Sequence, residues 1–254
     1  MRIAVVGGTG TLGRRVTDEL RSRGHDVRVL SRNAPEYRID LRTGEGLGHA
    51  LEGCNVVVDA SNSSSPKHAA QILIEGSRRL LAAERTAGVG HHVGVSIVGC
   101  ERVHVGYFRA KADQERVVEQ GTVPWSIVRA TQFHELVAMA LSSVGRWRVV
   151  PVPHARLQTV ACVEAARAIA DVAEAPPRLG RIEVGGPEVA DLRDLARSWL
   201  SITRQHALLL PLPLPGKVGR ELRSGALTTE MPDVRGKTPF ATWLRAEERA
   251  IAKA

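Results

Sequence analysis

The chain has 254 residues, 43% hydrophobic and 24% charged, with a formal net charge of +8. That composition excludes a disordered chain, and the length suffices for one large domain or two small ones around a real core. Only five of the 35 basic residues are Lys, the Arg residues are scattered and aromatics make up 4%, so the charge reads as an Arg-rich solvated surface and not as a nucleic-acid interface.

Ile3, Ala4, Val5 and Val6 form an apolar run that ends on glycines and predicts a buried first strand. Leu12, Val16 and Leu20 then recur at helical spacing, and Gly24 closes that helix. Residues 27–30 predict a second strand, 38–40 a short third, 46–51 a helix and 55–60 a buried strand. A long helix is expected over 69–83, a strand over 93–98, a helix from near Tyr107 to about Glu119 and a strand over 125–129. Strands alternating with helices imply a parallel sheet covered on both faces, with right-handed crossovers. The expected fold is therefore α/β, a Rossmann-type doubly wound parallel sheet.

Beyond residue 130 the pattern loosens. Residues 160–172 and 189–200 predict helices and 181–184 a strand, while 208–239 carry many Pro and Gly with little periodicity. We read 1–254 as a single domain, with 1–130 as the core and 131–254 as mostly a small C-terminal substrate-binding lobe with interleaved core elements. Met1-Arg2 run straight into the first strand, so no leader peptide is expected. The late apolar stretch 207–215 is short and holds three prolines, which excludes a bilayer span. The expectation is a cytoplasmic protein with no nucleic-acid or membrane partner. Cys54, Cys100 and Cys162 are odd in number and lack C-x-x-C spacing, and His91-His92 lack ligand spacing, so neither a disulfide framework nor a metal site is expected.

Gly7-Gly8-Thr9-Gly10-Thr11-Leu12-Gly13 joins the first strand to the first helix. Gly8, Gly10 and Gly13 satisfy G-x-G-x-x-G, and Gly7, Gly10 and Gly13 satisfy G-x-x-G-x-x-G. One glycine makes the turn, another admits a pyrophosphate to the backbone, and the last lets the helix pack on the sheet. The helix N-terminus then offers free N–H groups and a positive dipole end to the phosphates. NAD binders place an acid at the end of the second strand, on the ribose 2′-hydroxyl. Here that place reads Leu30-Ser31-Arg32-Asn33. Arg32 can clamp a 2′-phosphate, Ser31 can donate to it, and Arg14 is a second candidate, so NADP(H) is preferred over NAD(H). Asp40 either holds the adenine amino group or caps Leu41-Arg42-Thr43.

Tyr107 and Lys111 stand four residues apart, on one helix face. A nearby ammonium favours the phenolate, so the pair suits proton transfer to a carbonyl oxygen during hydride delivery. Lys111 can also grip the nicotinamide ribose, and Ser96, ending the fifth strand, can orient the carbonyl.

The chain resembles the NmrA-like, atypical short-chain dehydrogenase/reductases that bind NAD(P)H. The likeness lies in Gly7 to Gly13, Val95-Ser96-Ile97-Val98-Gly99, Tyr107 to Lys111 and Val128-Arg129-Ala130-Thr131-Gln132-Phe133, and more weakly in 183–188 and 210–216. It implies a Rossmann core with an interleaved substrate lobe, and it puts Thr131, Gln132 and Phe133 near the nicotinamide or the substrate. The expected catalytic set is Tyr107, Lys111 and Ser96. The expected cofactor set is Gly7, Thr9, Gly10, Thr11, Leu12, Gly13, Ser31, Arg32, Asp40, Leu41, Ala60, Ser61, Lys111, Thr131 and Phe133. Family members include reductases of quinones, imines, enones and ketones, and also NADP-sensing regulators. Two functions follow: an NADPH-dependent reductase of a small organic carbonyl or quinone, favoured by the intact Tyr107/Lys111 pair, or a non-catalytic NADP(H) sensor. The partner expected is a small-molecule substrate, and a homodimer is compatible with the reading.

Overall fold

Arg2–Val6 (β1) is buried along almost its whole length, as a strand covered on both faces must be. In the computed structural model, which describes residues 1–62, 69–145 and 148–251, β1 lies between β2 (Asp26–Ser31) and β4 (Val56–Asp59). Beyond β2 comes β3 (Tyr37–Arg38). Beyond β4 come β5 (His91–Ile97), β6 (Trp125–Ala130), β9 (Arg181–Gly185) and β12 (Val234–Arg235). The sheet order is β12-β9-β6-β5-β4-β1-β2-β3, and every pairing is parallel. This is the doubly wound α/β sheet that the alternating pattern predicts.

Two layers of helix cover it. On one face α1 (Thr11–Ser22) packs beside α6 (Cys162–Glu174), with Leu12, Val16 and Leu20 meeting Ala165, Ala166 and Ile169. On the other lie α2 (Leu47–Leu51), α3 (Gly76–Ala87) and α4 (Gly106–Glu119), whose Leu51, Leu80 and Val117 pack under Ala4, Val57 and Ile127. A π-helical turn, Gln71–Glu75, leads directly into α3.

The rest of the chain alternates between sheet and lobe. The lobe holds α5 (His134–Gly145), the parallel pair β7 (Val149–Pro153) and β11 (Leu208–Leu212), the antiparallel pair β8 (Arg156–Leu157) and β10 (Ala190–Asp191), α7 (Leu192–Thr203) and α9 (Phe240–Ile251). Its own core includes Val137, Leu141, Val150, Trp199, Phe240 and Leu244. A shorter helix, α8 (Gly216–Arg223), packs Val218 and Leu222 on Val103, Ala226 and Leu227.

Sequence periodicity misses α5, β7, β8 and α9. Helix α5 spreads Leu136, Val137, Ala138, Met139, Ala140 and Leu141 around its circumference, so no polar face marks it. Segment 207–215 contains a strand despite its prolines, because β11 pairs with β7 alone in a two-stranded sheet. The helix expected from Val189 starts at Leu192, where the Asp191 side chain accepts from Arg193 N at 2.9 Å. The three cysteines are free and buried. Among the described residues no helix is long and apolar enough to cross a membrane.

One polar pair sits wholly inside the core. Glu84 on α3 and His92 on β5 are both fully buried, and His92 Nδ1 lies 2.9 and 3.0 Å from the two carboxylate oxygens. Removing one member strands the other in a low-dielectric interior. Glu84→Ala is therefore expected to cost about 3–5 kcal/mol. Urea unfolding checks this, and a loss below about 1 kcal/mol would mean that the pair repays nothing beyond its packing.

Candidate functional site

The strand order reverses between β1 and β4, and the chain leaves the sheet there in opposite directions. The carboxyl ends of these strands open a crevice that the glycine loop borders. Gly7 has a φ of +74°, and a Cβ on it would lie 2.7 Å from Ala60 O. Its N–H donates to Leu30 O at 2.8 Å, and Gly10 N donates to Gly7 O at 2.9 Å. A Cβ on Gly13 would come within 2.2 Å of Gly7 O, so this glycine lets α1 press against the turn. Gly10 differs, because a Cβ there would meet only Gly7 O, at 3.2 Å, and Gly10 lines the open cleft. Helix α1 begins with no side-chain cap and no acid in its first turn, which leaves its N–H groups turned to whatever fills the cleft. Arg14 braces the loop, its Nε donating to Thr9 O at 2.8 Å.

Two clefts meet at this loop. The first, about 260 Å³, runs over β1 and β2 and is lined by Gly7, Thr9, Ser31, Arg32, Asp40 and Leu41 among others. The second, about 580 Å³, runs towards the lobe past Thr11, Leu12, Gly13, Ser96, Tyr107 and Lys111, and its far wall holds Thr131 and Phe133. Gly10, Ala60, Ser61 and Asn62 line both. Apart from Gly8 and Arg14, every residue that the sequence marks for the cofactor or for catalysis thus borders one cleft or the other.

At the first cleft Arg32 is exposed on the rim, and no acid ends β2. Asp40 lines this cleft and also caps the turn that follows it: its Oδ1 accepts from Arg42 N at 2.9 Å, and its Oδ2 pairs with the Arg42 guanidinium at 2.5 Å. That hydrogen bond holds the Asp40 carboxyl down to about 2, with Arg32 adding to the effect.

At the second cleft Tyr107 is half-buried on the first turn of α4. Burial raises its pKa above that of an ordinary phenol, partly offset by a hydrogen bond with the Asn62 side chain. The sequence led us to expect the reverse, a phenol lowered by Lys111. The reason is the direction of the ammonium: Lys111 Nζ turns inward and donates to Val95 O at 2.8 Å and to Gln114 Oε1 at 2.7 Å. Ser96 borders the cleft, but its hydroxyl contacts Cys100 Sγ at 3.8 Å and bonds the Glu115 carboxylate. Glu115 is itself held by Arg129, at 2.6 and 2.9 Å. Thr131 Oγ1 accepts from Gly186 N at 3.2 Å, and Gln132 spans from Leu227 O to Gln158 N.

Sequence reasoning missed Asn62, Gln114, Arg42 and the apolar wall of the second cleft, made by Leu136, Leu141, Val150, Leu157 and Leu192. Only Asn62 left a signal, being three residues past a buried parallel strand, at the carboxyl edge where such sheets bind ligands.

Two observations fit a dinucleotide. A side chain at Gly10 would fill the junction of the clefts. The Ser61 hydroxyl is buried at that junction with no hydrogen-bond partner among the described residues. The comparisons agree. The family profile described as NAD(P)H-binding matches residues 7–138. A reductase of Streptomyces griseus, the (4-alkanoyl-5-oxo-2,5-dihydrofuran-3-yl)methyl phosphate reductase, is 30% identical, with 98% of this chain and 99% of that protein covered. Photosystem II assembly factor Ycf39 of Trieres chinensis is 28% identical over 53% of this chain, and the match spans about half, 47%, of that longer protein. Among solved structures, the NADPH complex of an NADPH-dependent quinone oxidoreductase from Escherichia coli superposes with a TM-score of 0.80 at 17% identity, covering 97% of this chain and 99% of the other.

The two glycines separate packing from binding. Gly10→Val is expected to leave a folded protein that no longer binds NADPH, because its branches would fill the phosphate position. Gly13→Val is expected to lower the melting temperature as well, since its Cβ overlaps a backbone carbonyl. Circular dichroism with a fluorescence titration checks both, and unchanged NADPH affinity in folded Gly10→Val would move the phosphate site elsewhere.

Proposed function

The chain belongs to the NAD(P)H-binding family, consistent with the NmrA-like atypical short-chain dehydrogenase/reductases that it resembles, and from that premise we propose that it is an NADPH-dependent reductase of a small, largely apolar carbonyl, quinone or related substrate. The observation that carries this reading is the second cleft: an apolar chamber walled by the lobe, with a protonatable phenol at the junction where the cofactor cleft enters it. The nearly full-length likeness to the Streptomyces griseus reductase supports a reductive activity.

In this reading the bound nicotinamide supplies a hydride to the substrate carbon. The chain does the rest. Tyr107 is protonated at neutral pH, as any phenol is, burial raises its pKa further, and Asn62 orients the hydroxyl. The phenol can then give its proton to the substrate oxygen as negative charge develops there. Lys111 has one N–H beyond the two it spends inside, and in this reading that one is offered to the nicotinamide ribose. Ser96 serves as an auxiliary donor by turning its one O–H from Glu115 to the substrate oxygen, and Thr131 and Phe133 bound the nicotinamide face. Arg32 and Ser31 hold the 2′-phosphate, Asp40 and Leu41 flank the adenine, and Ala60 and Ser61 close over the pyrophosphate. Leu136, Leu141, Val150 and Leu192 make the lobe side of the chamber uncharged, which favours an apolar acceptor.

The likeness to assembly factors favours a second reading, a non-catalytic NADP(H) binder that reports to a protein partner. Oxidation of NADPH against a panel of quinones, ketones and enones separates the two. Turnover with any member supports the reductase, and tight NADPH binding without turnover supports the sensor.

NADPH is expected to bind more tightly than NADH, and Arg32→Asp to weaken NADPH by about 1.5–3 kcal/mol, roughly 10- to 150-fold, with little change for NADH. Fluorescence titrations at one salt concentration measure it, and equal affinities in the unaltered protein would remove the argument. With a working substrate, Tyr107→Phe is expected to lower kcat by about 10²–10⁴-fold and leave the NADPH Kd within twofold. Full activity in that variant would exclude Tyr107 as the acid.

A further inference from the structure

Beneath the cofactor cleft runs a buried polar chain that the chemistry above leaves unused. Besides donating to Val95 O, Lys111 Nζ donates to Gln114 Oε1 at 2.7 Å. Gln114 Nε2 in turn donates to Asp59 Oδ2 at 3.1 Å and to Ser77 Oγ at 2.9 Å. The other Asp59 oxygen accepts from Ser61 N at 2.9 Å. Lys111, Gln114, Asp59, Ser77 and Ser61 are all buried.

The chemistry of this link admits few residue types. An ammonium only donates and a carboxylate only accepts. A side chain that touches both must accept at one end and donate at the other, and among side chains of this length a carboxamide does that. Gln114 is thus the joint between a charge on α4 and the end of β4. That end is functional ground: Ala60 O lies against Gly7, and Ser61 lines both clefts.

We propose that Gln114 is a positioning residue: its carboxamide couples the Lys111 ammonium to Asp59, and through Asp59 to the Ser61 backbone, so that Lys111 and the rim of the cofactor cleft are held as one body. The proposal rests on the reading of Lys111 as a group that meets the cofactor.

The charge state of Lys111 reports on the link. The groups around it are Asp59 from β4, Cys100 from the turn after β5, and Glu115 and Tyr107 from its own helix, with Glu84 and His92 behind Asp59. Burial pushes the ammonium below the usual lysine range, and Asp59 opposes that. An acceptor on the ammonium favours its charged form, so losing Gln114 Oε1 lowers the titration midpoint further, and a carboxylate in its place raises it.

The test uses Gln114→Met, Gln114→Glu and Lys111→Met in the full chain. Two readouts need no turnover: the Lys111 midpoint, followed by NMR of cofactor-free protein labelled at lysine ¹³Cε, and the NADPH Kd. Gln114→Met is expected to lower the midpoint by a pH unit or more and to raise the Kd at least fivefold. Gln114→Glu is isosteric, so it carries the test if the Met variant does not fold. It should raise the midpoint yet still weaken NADPH, because its carboxylate repels Asp59 and loosens Ser61. A structural role alone would not move the midpoint in opposite directions. If Lys111→Met damages binding or turnover while both Gln114 variants leave midpoint and Kd unchanged within twofold, the coupling is refuted and the Lys111 reading stands. If Lys111→Met changes neither, the Lys111 reading fails first and the coupling falls with it.

Discussion

The approach of α1 to the turn after β1 is the constraint from which the site follows. Gly13 stands where any side chain would overlap the Gly7 carbonyl. That absence draws the helix down until its first N–H groups reach the mouth of the crevice, and it lets Leu12, Val16 and Leu20 meet the alanines of α6. The same contact sets the Gly7 turn against Ala60, which aligns the ends of β1 and β4. The shape of the glycine turn, a helix position and the spacing of two strands are thus one geometric fact. The parallel sheet supplies the crevice, and the glycines decide that backbone rather than side chains will line it.

The two sides of the second cleft are built from opposite materials. Below it lie buried polar groups with their hydrogen bonds turned inward, Lys111 on Gln114 and Ser96 beside Glu115. Above it the lobe presents aliphatic side chains from α5, β7 and α7. The space between them is poorly solvated on one side and bordered by fixed dipoles on the other, and in such a place a phenol is hard to ionise.

Much of this was legible in the chain. The glycine spacing and its place after an apolar run mark the tight turn where the two clefts meet, because these features are local and tied to backbone geometry. Tyr107 and Lys111 show by helical spacing. Gln114 does not, since its meaning lies in Asp59, 55 residues away, and in which end of its amide faces which charge. The direction of the Lys111 ammonium is hidden for the same reason, and so the sequence suggested a lowered phenol where the fold gives a raised one. The lobe was the least legible part. Helix α5 has apolar residues on most sides, and β11 carries Pro211, which a strand paired on one side tolerates.

The lobe is also discontinuous. Between α5 and α9 the chain returns to the main sheet twice, as β9 and as β12, with α6 on its back, and Phe133 is bridged to Val160 across the junction. No single cut separates the apolar walls of the second cleft from the glycine turn at its floor. Those walls therefore cannot be exchanged as a transplanted cassette. They can change only by point substitutions, each made under the condition that β9 and β12, at one side of the main sheet, stay in register.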